Sequence, residues 1–227
     1  MTIFKFALLR GVRGKDYLIN IILPLAFILI RPIWAGGGTQ GFHLMGLWVM
    51  VCASSIAKGI MLDKLDRTII RILASPTNTL RYLSQNFLAC MVPLTLQVVI
   101  LTSLGKFLYS WETVFTIYLA ICYTVFAMAS ITLLFAWSCL FKDRETSNMM
   151  FGFLVMFAGT LGGLLLPFDL LPRTLQYIGS LFPTYWVSIG IREILATGAT
   201  PKYWMSLGII ALFAVAYLLY GGKRRII

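Results

Sequence analysis

The residue types that catalyse reactions or bind metals are few and scattered in this sequence. His43 is the only histidine, and no carboxylate or cysteine lies near it along the chain. A lone imidazole lacks the second group that general acid–base or nucleophilic chemistry needs. The four cysteines form no C-x-x-C pair and lie in or beside apolar stretches, which predicts buried side chains rather than zinc ligands or disulfides. We therefore expect no catalytic site, no bound metal and no cofactor in this chain.

A phosphate-binding loop is also missing. Residues 11–16 bring two glycines and a lysine together, but they lack the G-x-x-x-x-G-K-[ST] spacing and a preceding strand. If the chain moves a solute against its concentration gradient, the energy has to come from a source other than ATP hydrolysis at this loop.

Composition indicates a membrane protein. Of the 227 residues 59% are hydrophobic and only 12% are charged, whereas soluble domains carry about 25% charged residues. A soluble enzyme, a disordered chain and a secreted disulfide scaffold are excluded. The net charge of +11 is typical of Lys and Arg concentrated on the cytoplasmic side of a membrane. No polar segment interleaves basic and aromatic residues, so we expect no nucleic-acid partner.

Charge-free stretches of about 20 residues predict six transmembrane helices. They cover residues 17–34, 44–61, 82–105, 113–141, 146–168 and 203–222. Residues 174–191 form a further charge-free stretch, but Pro183 interrupts it, which favours two short half-helices that dip in and return over a seventh span. The distribution of basic residues places the N-terminus in the cytoplasm, and the basic C-terminal end favours six spans, with both termini inside the cell.

The predicted spans carry no Asp, Glu, Lys or Arg near mid-depth. Asn86 and Gln97 are the most polar side chains of the third span. Ion-coupled transporters place ionisable groups at this depth, so their absence counts against that class.

Two basic segments are predicted outside the spans on the cytoplasmic side. Residues 1–16 alternate apolar and basic side chains and predict an interfacial helix that holds anionic lipid, or else a basic flank that sets orientation. Residues 62–81 predict a helix with an apolar face and a basic face, ended by Pro76. That shape suits docking into a groove of a cytoplasmic partner, and the alternative is a connector lying on the membrane surface.

The segment 168–197 is predicted to form a re-entrant pair of short outer helices before the last span. It contains or adjoins Pro167, Pro172 and Pro183, and it carries Asp169 and Tyr185. Its function would be an outer gate, and the alternative is an ordinary outer loop.

In the fifth span Gly159 and Gly163 form a G-x-x-x-G pair, which predicts close helix packing within the chain or between two chains.

This layout resembles the membrane subunit of ABC-2 type ATP-driven exporters. The resemblance covers nearly the whole chain. It rests on the amphipathic N-terminal segment before the first span, on the basic helix KLDRTIIRILASP and on the stretch GGLLLPFDLLPRTLQYIGSLFPTYW. The middle segment differs from the family's R-E-x-G-T-L-E pattern, because Asp66, Arg67 and Thr68 stand where an Arg-Glu-x-Gly core is usual.

The resemblance implies one all-α transmembrane domain over residues 1–227, acting as a homodimer or heterodimer of permease chains in the plasma or inner membrane. Separate cytoplasmic ATPase subunits would bind ATP and Mg and hydrolyse the ATP. The coupling helix would be residues 65–76, with contacts from Lys64, Leu65, Arg67, Ile69, Ile70, Arg71, Leu73 and Pro76. Family cargoes include drugs, peptides, lipids, polysaccharides and ions, and the short outer region and uncharged spans favour an apolar or amphipathic one.

Two other classes stay open from the sequence. One is a secondary transporter or channel without an ATPase partner, and the other is a non-transporting membrane scaffold or immunity protein.

Overall fold

All described secondary structure of the chain is helical. The computed structural model describes residues 4–5, 7–9, 22, 24–30, 34, 39–65, 79–141 and 143–223, without the side chains of residues 57–65, 79–81, 144, 169, 222 and 223. The helices are α1 (Gln40–Leu65), α2 (Thr79–Tyr109), α3 (Thr113–Ser138), α4 (Arg144–Leu161), a 3-10 turn (Phe168–Leu170), α5 (Arg173–Gly179), α6 (Pro183–Ala196) and α7 (Pro201–Lys223). An all-helical membrane protein is therefore confirmed.

Helix α3 lies at the centre of the bundle and packs against α1, α2, α6 and α7. Its sequence is apolar on all sides, as expected for a helix surrounded by protein or lipid. Leu119, Tyr123 and Phe126 on it are fully buried. Some of its hydroxyl groups bond locally, since Ser130 donates to the Phe126 carbonyl at 2.9 Å and Thr124 to the Ala120 carbonyl at 2.8 Å. The hydroxyl of Tyr123 donates instead to the Phe42 carbonyl at 2.6 Å and so links α3 to α1.

The polar side chains of the third predicted span point into the bundle. Gln97 is buried, and its Nε2 lies 3.3 Å from the Cys52 sulfur on α1. Asn86 is buried as well, and its Nδ2 donates to the Tyr82 carbonyl at 3.0 Å. Gln97 therefore links α2 to α1, whereas Asn86 bonds within α2 itself.

Aromatic rings fill the space between the start of α1 and the α2–α3 turn. Trp34 contacts Phe42 and Trp111, with ring centroids 5.3 and 5.6 Å apart. The chain turns at Ser110, which has a positive φ of 54°, and this places the Trp111 ring directly over Gly105, where a Cβ would overlap the indole. Only glycine allows this close approach, so the turn between the two helices is closed by Trp111.

Three of the six predicted spans match observed helices of membrane-spanning length. Three helical segments of the described residues are long and apolar enough to cross a membrane: Tyr82–Tyr109, Thr113–Ser138 and Pro201–Gly221. A shorter apolar segment, Gln40–Ile56, lies in α1. The fifth span was predicted over residues 146–168, and this is wrong at its end, because α4 stops at Leu161. The count of six spans stays a prediction, since most of residues 1–38 lie outside the described residues.

Candidate functional site

The end of α4 is set by two consecutive glycines. Gly163 has a φ of +76°, which favours glycine, and its amide donates to the Thr160 carbonyl at 3.2 Å. The next amide, of Leu164, donates to the Gly159 carbonyl at 2.9 Å. These two bonds form a Schellman motif, which ends a helix by satisfying its last carbonyls. Gly163 thus lies beyond the helix and cannot share a packing face with Gly159, contrary to the predicted pairing.

Beyond this helix end the chain forms a compact element that we call the proline hairpin, residues 164–196. Each of its three prolines starts a helix: Pro167 precedes the 3-10 turn, Pro172 precedes α5, and Pro183 is the first residue of α6. Proline suits these positions because it lacks an N–H donor and holds a helical φ. The proline spacing therefore produces two short helices in place of a continuous span.

The tip of the proline hairpin returns to the last turn of α4. Thr184 is fully buried, and its hydroxyl donates to the Ala158 carbonyl at 2.7 Å. A Cβ on Gly162 would lie 2.6 Å from the Thr184 Cβ, and a Cβ on Gly179 would overlap the Leu161 carbonyl. Glycine at both positions is thus required for backbones to meet closely. These contacts lock the hairpin to α4.

A second set of contacts packs side chains together within the proline hairpin. The ring of Phe168 lies between Tyr185, with centroids 5.1 Å apart in a T-shaped arrangement, and Arg192, whose Cζ is 5.5 Å from the ring centroid. Gln176 donates to the carbonyls of Phe168 and Leu171 at 3.0 and 2.8 Å. The predicted site residue Tyr185 therefore packs inside the hairpin. Nothing is described for the side chain of Asp169.

Helix α1 also holds the start of this segment. The Nε2 of Gln40 donates to the Leu165 carbonyl at 2.9 Å. Leu164 is fully buried, and its Cδ2 lies 3.2 Å from the position that a Cβ on Gly46 would take. The hairpin is thus joined to α1 and α4 together, so a relative movement of these helices would displace it.

An ion pair connects the end of the proline hairpin to the start of α7. The Lys202 Nζ donates to Glu193 Oε1 at 2.8 Å, and the Thr200 hydroxyl donates to Oε2 at 2.8 Å. These hydrogen bonds, from Lys202 first and then Thr200, hold the pKa of Glu193 below its ordinary value.

A groove of about 380 Å³ separates α1 from α4. Val51, Phe151 and Val155 form apolar walls, while Ser54 and Asn148 supply a hydroxyl and an amide. Beside it α4 presents an exposed face of methionine and phenylalanine, consisting of Met149, Met150, Phe153, Met156 and Phe157. Methionine side chains adapt to irregular and changing partners. This surface is suited to contact a second protein chain and a partly polar solute.

Most of the predicted coupling residues lie outside the described residues: Arg67, Ile69, Ile70, Arg71, Leu73 and Pro76. Lys64 and Leu65 form the end of α1, which continues as one helix through the point where a separate helix was expected to begin. The basic segment thus lies between the end of α1 and the start of α2 at Thr79.

Sequence reasoning missed several residues of this site. Gln40, Ser54, Asn148 and Thr184 were not singled out, and Gly162 was expected only in a small-xxx-small pair with Ala158. The Gly-Gly pair after an apolar run was a signal for a helix end, but nothing in the sequence indicates the long-range partners of Gln40 or Thr184. Among the described residues no group of His, Cys, Asp and Glu could hold a metal ion.

Comparison with known families agrees with this geometry. Residues 41–222 match the family described as ABC-2 family transporter protein. The match covers most of the chain, so the chain belongs to this family. It is a membrane-embedded, multi-pass permease of an ABC-type transporter, and its family implies a partner ATPase subunit. No curated protein shows a significant sequence match to it.

Proposed function

We propose that this chain forms half of an export pathway for amphipathic compounds, such as drugs, peptides or lipid-like molecules, driven by separate ATPase subunits. The observation that carries the proposal is the surface shared by α1 and α4. It combines the polar groups of Ser54 and Asn148 with a methionine-rich exposed face, and a second permease chain placed against it would enclose a partly polar passage.

The exposed faces of α2 and α7 differ from that of α4 in their side-chain composition. α2 presents mainly aliphatic side chains, including Leu88, Val92 and Leu96, and α7 presents Leu212, Val215 and Leu219. Uniform aliphatic surfaces suit lipid tails and give no hydrogen bonds to a solute. The contrast favours α4 as the face toward the second chain.

In this proposal the proline hairpin is the outer gate. It rests on the end of α4 through Thr184 and on α1 through the Leu165 carbonyl. When ATP binding draws the ATPase subunits together, the segment between α1 and α2 would be displaced and α1 would shift along α4. The hairpin would then move with the two helices that hold it and open the passage outward.

The proposed contact between α4 and a second permease chain is tested by cross-linking in native membranes. Phe153→Cys on α4 and Leu212→Cys on α7 start from side chains that are both 69% exposed, which makes them a matched pair. A thiol cross-linker should join Phe153→Cys to a second permease chain and leave Leu212→Cys mainly as single chains. Equal cross-linking at both positions would refute α4 as the interface.

The energy source is tested by transport. Vesicles that contain this chain and its ATPase subunit should move an amphipathic dye only when ATP and Mg are supplied. Transport driven by an ion gradient alone would favour a secondary transporter, and no transport with any energy source would favour a scaffold or immunity protein.

A further inference from the structure

A second groove, of about 710 Å³, lies on α2, away from the surface between α1 and α4. Its volume falls in the range of roughly 300–1,000 Å³ that is typical of small-molecule sites. On α2 it is lined by Leu88, Met91, Val92, Thr95, Leu96 and Val99. These positions follow one another at intervals that place them on one helical face. Apart from the Thr95 hydroxyl and the Met91 thioether, these side chains are hydrocarbon.

The dimensions of the groove match one leaflet of a bilayer. The rise of about 1.5 Å per residue gives about 16 Å between Leu88 and Val99, and the hydrocarbon core of a bilayer is about 30 Å thick. Leu88 and Leu96 are 54% and 56% exposed, so the groove opens on the outside of the bundle, where lipid tails lie. A single acyl chain fits this shape and chemistry.

The N-terminal segment closes one side of the groove with a basic residue next to it. Phe4 belongs to the helical residues near the N-terminus and lines the same groove. Lys5 follows directly and is exposed, and consecutive Cα atoms are only about 3.8 Å apart. A lysine can lay its methylene stem on apolar surface while its ammonium group stays with the headgroups. A cation therefore lies next along the chain to a side chain that lines the groove.

We propose that this groove binds one acyl chain of an anionic phospholipid of the surrounding membrane, with the headgroup phosphate held by Lys5. The combination of a hydrocarbon channel with an adjacent ammonium group is complementary to a negatively charged lipid and distinguishes it from a zwitterionic one. The bound lipid would fasten the N-terminal segment to α2. This site is independent of the proposed export pathway, since it uses another helix and another face.

The test is lipid retention by the purified full-length chain, measured by native mass spectrometry after incubation with equal amounts of phosphatidylglycerol and phosphatidylcholine. Val92→Trp fills the groove. Val215→Trp on α7 is the matched control, because the two valines are 50% and 54% exposed. Lys5→Gln removes the charge with no change to the groove walls.

We expect the unmodified chain to retain one phosphatidylglycerol, Val215→Trp to behave in the same way, and Val92→Trp to lose retention. Lys5→Gln should reduce the preference for phosphatidylglycerol by about fivefold, the effect of one basic residue near an anionic surface. Equal retention of both lipids by the unmodified chain, no retention of either, or unchanged retention by Val92→Trp would each overturn the proposal. Lys5→Gln leaves the packed bundle intact. Its preference for phosphatidylglycerol therefore tests the proposal even if Val92→Trp does not fold.

Discussion

The Thr184 hydroxyl and the Gly162 amide donate to the same acceptor, the carbonyl oxygen of Ala158, across 2.7 and 2.8 Å. One carbonyl in the last turn of α4 thus accepts a helical hydrogen bond and also anchors α6. In a continuous helix this carbonyl would be used only within its own segment. Here the glycine at the helix end leaves space for a second element to reach it.

Thr184→Val tests this shared acceptor. The valine keeps the shape of the side chain but removes the donor, while Gly162 still satisfies the carbonyl. Hydrogen bonds between membrane helices contribute about 0.6 kcal/mol on average, so we expect a loss of about 0.5–1.5 kcal/mol. For a chain of this size that lowers the melting temperature in detergent by about 2–4 °C per kcal/mol. Thr184→Ser, which keeps the donor, is the control, and a larger loss in serine than in valine would contradict the role of the hydroxyl.

Gly162→Ala tests the close approach of the proline hairpin to α4. A Cβ at residue 162 would lie 2.6 Å from the Thr184 Cβ and 2.7 Å from the Ala158 carbonyl oxygen, so the hairpin must move away. Overpacking of this kind costs about 1–3 kcal/mol. Gly208→Ala on α7 is the matched control, because a Cβ there meets no atom within 4 Å, and it should leave stability equal or raised. Thermal unfolding in detergent measures both variants. Equal stability of the two would show that the contact is not tight.

The sequence predicts the helices better than it predicts their ends and contacts. Charge-free length was enough to place α2, α3 and α7, since a bilayer selects for that length directly. The end of α4 was missed because residues 164–166 are all leucine and hydropathy continues through them, while the two glycines that stop the helix act through backbone conformation. Pro183 was correctly expected to break a span. The hydrogen bond from Gln40 to the Leu165 carbonyl joins residues 125 positions apart, and no local pattern contains that information.

The Glu193–Lys202 pair predicts a pH dependence of stability. The folded-state pKa of Glu193 lies below its ordinary value of 4.5. The carboxylate therefore stabilises the fold above the unfolded pKa, and this contribution is lost as the pH falls through the folded pKa. The effect is small, at most about 1 kcal/mol, because pairs on the surface are screened by solvent. Melting temperatures of the unmodified chain and Glu193→Gln should differ at pH 7 and converge below pH 4.5. A difference that persists unchanged well below pH 4.5 would contradict the assignment.

Reversing two charges tests the segment between α1 and α2 as the contact with the ATPase. Arg67→Glu with Arg71→Glu should abolish ATP-driven transport in vesicles that contain both subunits, because the introduced carboxylates would repel the surface that this basic segment is proposed to meet. Lys142→Glu with Arg144→Glu changes the net charge by the same amount on the same predicted side of the membrane, between the end of α3 and the first residue of α4, and should leave transport mainly intact. Co-purification of the ATPase with each variant separates lost binding from lost coupling. If the Arg67 and Arg71 variant binds its ATPase and transports normally, the ATPase contact lies elsewhere on the chain.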